Sequence, residues 1–370
     1  MSGTKTEKET QRGSSSSGSS GSSSSSSTQK PLHFRYACSG MQGRRASMED
    51  AFICQLLPLP QHALFCVLDG HGGSEASEFA KGELVPLFCN TQSWQSYCQK
   101  VAPFLSSKEK CNSSTNILTN KQLKELTSLL GKALEQAFVE LDRAFYLQQY
   151  DGEMLISSAG STAVAVLLTP FSIVCGNIGD SRAVLARSST SSPTSITAHP
   201  LTEDHTPNLE QEKQRILNLG GTVEMGRVDG ELAVSRAFGD FELKDVSSLM
   251  ADEYDATDPD DVDQLQKRAQ LQKVSAYPEV RVQERNDTND RFLVLACDGI
   301  WDVASNEDVV EWIVNMFQQG QDDLGIVCEQ VFYICLGQGS QDNMTILVVI
   351  LEGGQKLIAK GSTGSASSSR

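Results

Sequence analysis

The sequence predicts an α+β fold of packed, mainly antiparallel sheets with helices on the outside. Three observations carry that expectation. Two apolar runs, Leu64–Leu68 and Phe292–Cys297, each stop abruptly at Asp-Gly, as strands covered on both faces do. Strand-like segments at Ser161–Leu168, Ser172–Ile178 and Arg182–Arg187 follow one another across hairpin-sized turns at Pro170 and Gly179-Asp180. The helical stretches do not alternate strictly with strands, which argues against a doubly wound parallel sheet.

Taken in order, Met1 to about Lys30 is polar and Ser14–Ser27 is almost all serine. Such a segment cannot bury enough apolar surface to offset its ordering entropy, so residues 1–32 are expected to be disordered. Phe34–Leu57 sets Arg44, Arg45, Glu49 and Asp50 between apolar residues. The first apolar strand then runs into Asp69-Gly70-His71-Gly72-Gly73, where glycines let the chain turn sharply and approach a ligand. Glu75–Phe88 reads as a helix. Cys89–Asn120 is polar without a clear period and reads as a surface excursion. Gln122–Leu147 is amphipathic, with Leu123, Leu126, Leu130, Leu134, Phe138, Leu141 and Phe145 on one stripe.

After the three strands, Thr206–Leu219 reads as a helix, with Pro207 at its start and Gly220-Gly221 stopping it. Val228–Asp240 is irregular. Asp252–Asp263 is a dense acidic run, read as a solvated insertion, with a short helix at Leu265–Val274. Ser305 with Asp308 forms a helix N-cap before Glu307–Phe317. A helix follows at about Leu324–Leu336, and Thr345–Glu352 is a final apolar strand. Residues 355–370 read as a second disordered tail.

The 370 residues, 39% hydrophobic, suffice for a sizeable core. A formal net charge of -16 speaks against a general nucleic-acid-binding surface. Ten cysteines lie scattered with no C-x-x-C pair, no apolar stretch could cross a bilayer, and the N-terminus has no apolar signal region. The thiols are therefore expected to be reduced, in cytoplasm or nucleus. Ser2 stands where myristoylation needs glycine.

Carboxylates recur at strand ends and turns: Glu49, Asp50, Asp69, Asp180, Asp298, Asp302 and Asp342. If several converge, their repulsion demands divalent cations or raised pKa values. All-oxygen ligands suit Mg2+ or Mn2+ rather than zinc. His71 reads either as a proton donor to a leaving oxygen or as a turn histidine bonded to backbone, and the acid and glycines beside it favour the donor. Arg45 offers a bidentate fork for phosphate. Cys38 and Arg44 have the C-x5-R spacing of cysteine-dependent phosphatases, but no glycine-rich cradle lies between them and no histidine precedes the cysteine.

The segments Arg45–Asp50, Asp69–Gly73, Gly160–Ala163, Gly176–Arg182, Leu201–His205, Ala233–Asp240, Asp298–Asp302 and Asp342-Asn343, in this order, resemble the metal-dependent Ser/Thr protein phosphatases of type 2C (PPM). The resemblance covers about Phe34–Glu352. It implies one phosphatase domain at 33–354 with insertions at about 89–120 and 245–275. Its fold would be a four-layer αββα arrangement, a central β-sandwich of two sheets flanked by helices. It implies two metal ions, Mg2+ or Mn2+, bridged by Asp69. The Gly70 carbonyl would bind one ion, Asp298 and Asp342 the other, and Glu49 and Asp50 would reach metal directly or through water. Asp180 and Asp302 match a weaker third site. Arg45 would hold the substrate phosphate, and His71 would protonate the leaving seryl or threonyl oxygen as a metal-bridging water attacks phosphorus. Leu201–Asp240 would be a flap beside the site. Expected partners are phosphoprotein substrates, without nucleic acid or membrane, and the expected state is a monomer. A catalytically silent relative, a hydrolase of other phosphoesters and a cation-binding structural protein stand as alternatives. No matched carboxylate is missing, which disfavours the first.

Overall fold

A computed structural model of the chain describes residues 8–13, 34–107, 118–189, 195–249 and 254–359. The Ser-rich tract and the last eleven residues lie outside this set. In chain order the elements are β1 (Lys8–Gly13), β2 (Arg35–Met41), β3 (Ala51–Leu56), β4 (Ala63–Leu68), β5 (Gly70–His71), α1 (Glu75–Asn90), α2 (Gln92–Ser107), α3 (Asn120–Gln149), β6 (Gly160–Ser161), β7 (Ala163–Leu168), β8 (Ser172–Ile178), β9 (Arg182–Ser188) and β10 (Ile196–Pro200). There follow α4 (Glu210–Asn218), β11 (Val223–Glu224), β12 (Arg227–Val228), β13 (Phe238–Gly239), α5 (Pro259–Gln270), β14 (Glu279–Glu284), β15 (Asp290–Ala296), α6 (Asp298–Trp301), α7 (Asn306–Gln318), α8 (Leu324–Gly337), β16 (Met344–Ile350) and α9 (Gln355–Ala359).

Two sheets dominate, ordered β1-β2-β16-β15-β9-β10 and β14-β8-β7-β4-β3, and their strand pairs are antiparallel. Strand alternation sorts their side chains into three cores. Leu293, Leu295, Leu347 and Val349 of one sheet meet Phe65, Val67, Val164 and Val166 of the other in the middle of the sandwich. On the outer face of the first sheet, Val294 and Val348 pack with Val309, Ile313 and Phe332 of α7 and α8. On the outer face of the second, Leu64, Cys66 and Ala165 pack with Leu84, Leu130 and Phe138 of α1 and α3. The four expected layers are therefore present.

The expected cap of Ser305 with Asp308 forms as a capping box, and a second box, Thr119 with Gln122, opens α3.

Four local expectations are corrected. The excursion at Cys89–Asn120 contains α2, whose Trp94, Tyr97 and Val101 lie buried in the same core as β4. The short helix expected at Leu265–Val274 instead spans Pro259–Gln270 and takes in the end of the acidic run, because Asp258 caps α5, Pro259 opens it, and Asp260 and Asp261 suit its positive end. Lys8–Gly13 pairs with β2, since an edge strand gains backbone hydrogen bonds without needing apolar residues. Gln355–Ala359 is helical, with Ile358 buried against the α7 and α8 core. Met1–Glu7 and the serine tract lie outside the described residues.

Candidate active site

The strands that end in acid all end on the same side of the sandwich. Asp69 follows β4, and Asp50 precedes β3, the neighbour of β4. Asp298 follows β15, and Asp342 lies just before β16, its neighbour. Asp180 sits in the turn from β8 to β9. Asn343 stitches two of these loops together. Its Oδ1 accepts from the Glu49 amide at 2.8 Å, and its Nδ2 donates to the Gln42 and Ser47 carbonyls at 2.8 and 2.9 Å. The Thr162 amide donates to the Asp69 carbonyl at 2.9 Å, tying the end of β4 to β7.

Convergence is shown by distance and by charge. One ligand atom each from Asp50, Asp69 and Cys297 lies within 4.8 Å of the others. Burial, then the charges of Asp298 and Asp342, push Asp50 up to about 7 against the pull of hydrogen bonds from Thr345 and Cys297. Thr345 Oγ1 donates to Asp50 Oδ2 at 2.8 Å. Burial and the charges of Asp50, Asp298 and Asp180 hold Asp69 well above the carboxylate range. Burial and the charges of Asp298, Asp204 and Asp302 push Asp180 up to about 7. Burial, Asp302 and Asp342 lift Asp298 to about 6, and burial also raises Asp302. Burial pushes the Cys297 thiol up as well, so it stays protonated and is no match for a hard cation. Carboxylates that repel one another this strongly are a set a divalent cation would relieve, and their oxygens suit Mg2+ or Mn2+.

Above the acids lies a cleft of about 430 Å³. Arg45, Glu49, Asp69, Gly70, His71, Asp180, Asp298 and Asp342 line it. Asp50 and Asp302 are not among its lining residues. Asp50 is buried beside Asp69, and Asp302 follows α6, where its amide donates to the Asp298 carbonyl at 2.8 Å. Arg227, Leu232, Ala233 and Val234 of the expected flap form part of the wall. Arg45 Nη2 donates to Asp342 Oδ2 at 2.5 Å. The Glu49 carboxylate accepts from Ser47 Oγ at 2.6 Å and from the Gly73 amide at 3.2 Å. Cys38 is fully buried between the sheets, consistent with its rejection as a nucleophile.

His71 is not a backbone-bonded turn residue. Its Nε2 lies 2.9 Å from both carboxylate oxygens of Asp240. Burial alone would lower the imidazole, but the hydrogen bond and charge of Asp240 outweigh it and raise the pKa. Sequence reasoning passed over Asp240, although it closes the segment Ala233–Asp240 that carried the resemblance. It also passed over the stitching role of Asn343.

Buried acids in this number call for a cation, and the guanidinium beside them calls for an anion. A site meeting both demands suits a phosphoester, which is what metal-dependent phosphatases bind. Residues 34–344 match the family model for protein phosphatase 2C. Protein phosphatase ppm-1.A of Caenorhabditis elegans is 35% identical over 320 residues, covering 85% of this chain and 58% of that protein. Human protein phosphatase 1A is 32% identical over 326 residues, covering 87% of this chain and 72% of its own length. A crystal structure of serine-threonine phosphatase 2C from Toxoplasma gondii has the same fold, with a TM-score of 0.65 at 24% identity over 86% of this chain and 95% of that one. The chain belongs to the protein phosphatase 2C family, the metal-dependent protein phosphatases. Among the described residues no helix is long and apolar enough to cross a membrane.

Proposed function

We propose that the chain hydrolyses phosphoserine and phosphothreonine in proteins, using two Mg2+ or Mn2+ ions with a weaker third site. The observation that carries this reading is the set of repelling carboxylates Asp50, Asp69, Asp180 and Asp298 beneath a cleft that Arg45 also lines. Asp69 would lie between the two ions, with the Gly70 carbonyl on one and Asp298 and Asp342 on the other. Glu49 and Asp50 would support them, and Asp180 with Asp302 would serve the third. Divalent cations held there would supply a water of lowered pKa and charge to neutralise the phosphoryl group.

The side chains do the rest. Arg45 presents a fork to the phosphoryl oxygens. His71, held by Asp240, keeps a proton ready for the alkoxide that leaves. Leu232 and Val234 give the cleft part of an apolar wall. Residues 33–354 act as one phosphatase domain, working as a monomer in cytoplasm or nucleus.

The test is hydrolysis of a phosphothreonine peptide after chelation, with and without added Mn2+. Turnover is expected only with the metal. Asp69→Asn is expected to abolish it with folding retained, and an unchanged rate would remove Asp69 from the mechanism.

A further inference from the structure

The turn from Ala237 to Lys244 is built around a buried ion pair. Lys244 and Asp142 of α3 are almost wholly buried. Lys244 Nζ donates to Asp142 Oδ1 and Oδ2 at 2.9 and 2.8 Å and to the Ala237 carbonyl at 2.9 Å. The Gly239 amide donates to Asp142 Oδ1 at 2.8 Å. Such a pair persists in a core only when its hydrogen bonds are met, and here they close the turn upon itself.

Within this turn two successive residues are left-handed, Gly239 at φ 72° and Asp240 at φ 50°. Only glycine adopts this region freely, and aspartate is among the few others that tolerate it. β13 pairs with β6, and β6 pairs with β5 on its other side. Asp240 and His71 thus meet over Gly160. A β-carbon on Gly160 would stand 2.2 Å from Asp240 Oδ2 and 2.3 Å from His71 Nε2. The residue between them must be glycine for the contact to exist. Among the described residues Nδ1 of His71 has no hydrogen-bond partner, while the ring lines the cleft and is 31% exposed.

We propose that Asp240 is a positioning residue for His71: it holds Nε2–H, makes Nδ1 the nitrogen that delivers the proton, and is itself held by the Asp142–Lys244 pair. This rests on the phosphatase reading. As water forms the new P–O bond, the old P–O bond breaks with its electrons on the seryl or threonyl oxygen. That oxygen takes the Nδ1 proton. The ring becomes neutral with its remaining proton on Nε2 against Asp240, and solvent later returns a proton to Nδ1.

The test compares Asp240→Asn with the unaltered chain on two substrates, a phosphothreonine peptide and p-nitrophenyl phosphate. The first has an alkoxide leaving group that needs a proton; the second leaves as a stabilised phenolate that does not. The ratio of peptide to p-nitrophenyl kcat is expected to fall roughly ten- to a hundred-fold, at or below the low end of what a general acid itself supplies, because Asp240 positions the acid rather than replacing it. The peptide KM is expected to move far less than kcat. Equal losses on both substrates, or a loss confined to KM, would overturn the proposal. If Asp240→Asn does not fold, ¹⁵N NMR of the unaltered chain, with the His71 signal assigned by His71→Gln, replaces it. A hydrogen-bonded proton on Nε2 is expected, and a ring protonated at Nδ1 alone would overturn the idea. No turnover of either substrate by the unaltered chain would instead sink the phosphatase reading itself.

Discussion

Gly299 and Asn343 meet backbone to backbone: a β-carbon on Gly299 would stand 1.9 Å from the main-chain carbonyl oxygen of Asn343 and 3.2 Å from Asp342 Cβ. Ser340 Oγ donates to the Gly299 carbonyl at 2.7 Å, so the glycine cannot simply shift away. The contact brings Asp298 and Asp342 together from adjacent strands. Gly299→Ala is therefore expected to push the two acids apart and weaken Mn2+ binding roughly ten- to a hundred-fold, as lost support for ligands does elsewhere. Calorimetric titration with Mn2+ checks this. A folded variant with unaltered affinity would show that the close approach does not set the metal site.

Trp94→Ala is expected to destabilise the chain by about 3–5 kcal/mol, the usual cost of emptying a large buried site. Trp94 is 4% exposed, stacks on Tyr97 and lies tilted against Phe88. A denaturant midpoint equal to that of the unaltered chain would return α2 to the status of a surface excursion. The prediction also shows why some elements are legible in sequence and others are not. Asp69 and Asp298 announce themselves because each ends an uninterrupted apolar run at Asp-Gly. In α2 the buried residues Trp94, Tyr97 and Val101 are helically spaced but diluted by Ser, Gln and Lys on the outer face. Asp240 is harder still. Its meaning lies in the register of three two-residue strands, and no local pattern encodes that.

His62 gives the acid limb of stability a source remote from the cleft. It is 1% exposed. Its Nδ1 lies 2.8 Å from the Pro60 carbonyl and its Nε2 2.7 Å from the Tyr97 hydroxyl. The carbonyl can only accept, so Nδ1 carries the proton and Nε2 accepts from the hydroxyl. Burial pushes the imidazole down to about 4, partly offset by Pro60. The unfolded chain, at about 6.5, then binds more protons than the folded one between pH 6.5 and 4. Stability from this group is full above that window, is lost as pH falls through it, and amounts to about 3 kcal/mol. His62→Gln is expected to flatten the fall in unfolding free energy over this range. Parallel pH profiles for the two proteins would clear His62 of the role.

The ion pair of Arg45 with Asp342 sets two expectations of opposite sign. The guanidinium is 59% exposed on its side chain and Asp342 is 28% exposed, so solvent screens the pair and its contribution to folding is small. Its importance is to ligands. A cation arriving at Asp342 meets a positive charge already there, whereas a phosphoryl group arriving in the cleft is drawn to the same charge. Arg45→Ala should therefore bind Mn2+ somewhat more tightly while raising the KM of a phosphothreonine peptide by roughly ten-fold, the cost of losing a bidentate charge-assisted contact. Arg45→Lys, which keeps a point charge but not the fork, should fall between on KM. Metal titration and steady-state kinetics on the same three proteins separate the effects. Weaker metal binding in Arg45→Ala would mean the guanidinium organises Asp342 rather than competing with the cation. An unaltered KM would mean the phosphate is held by something else.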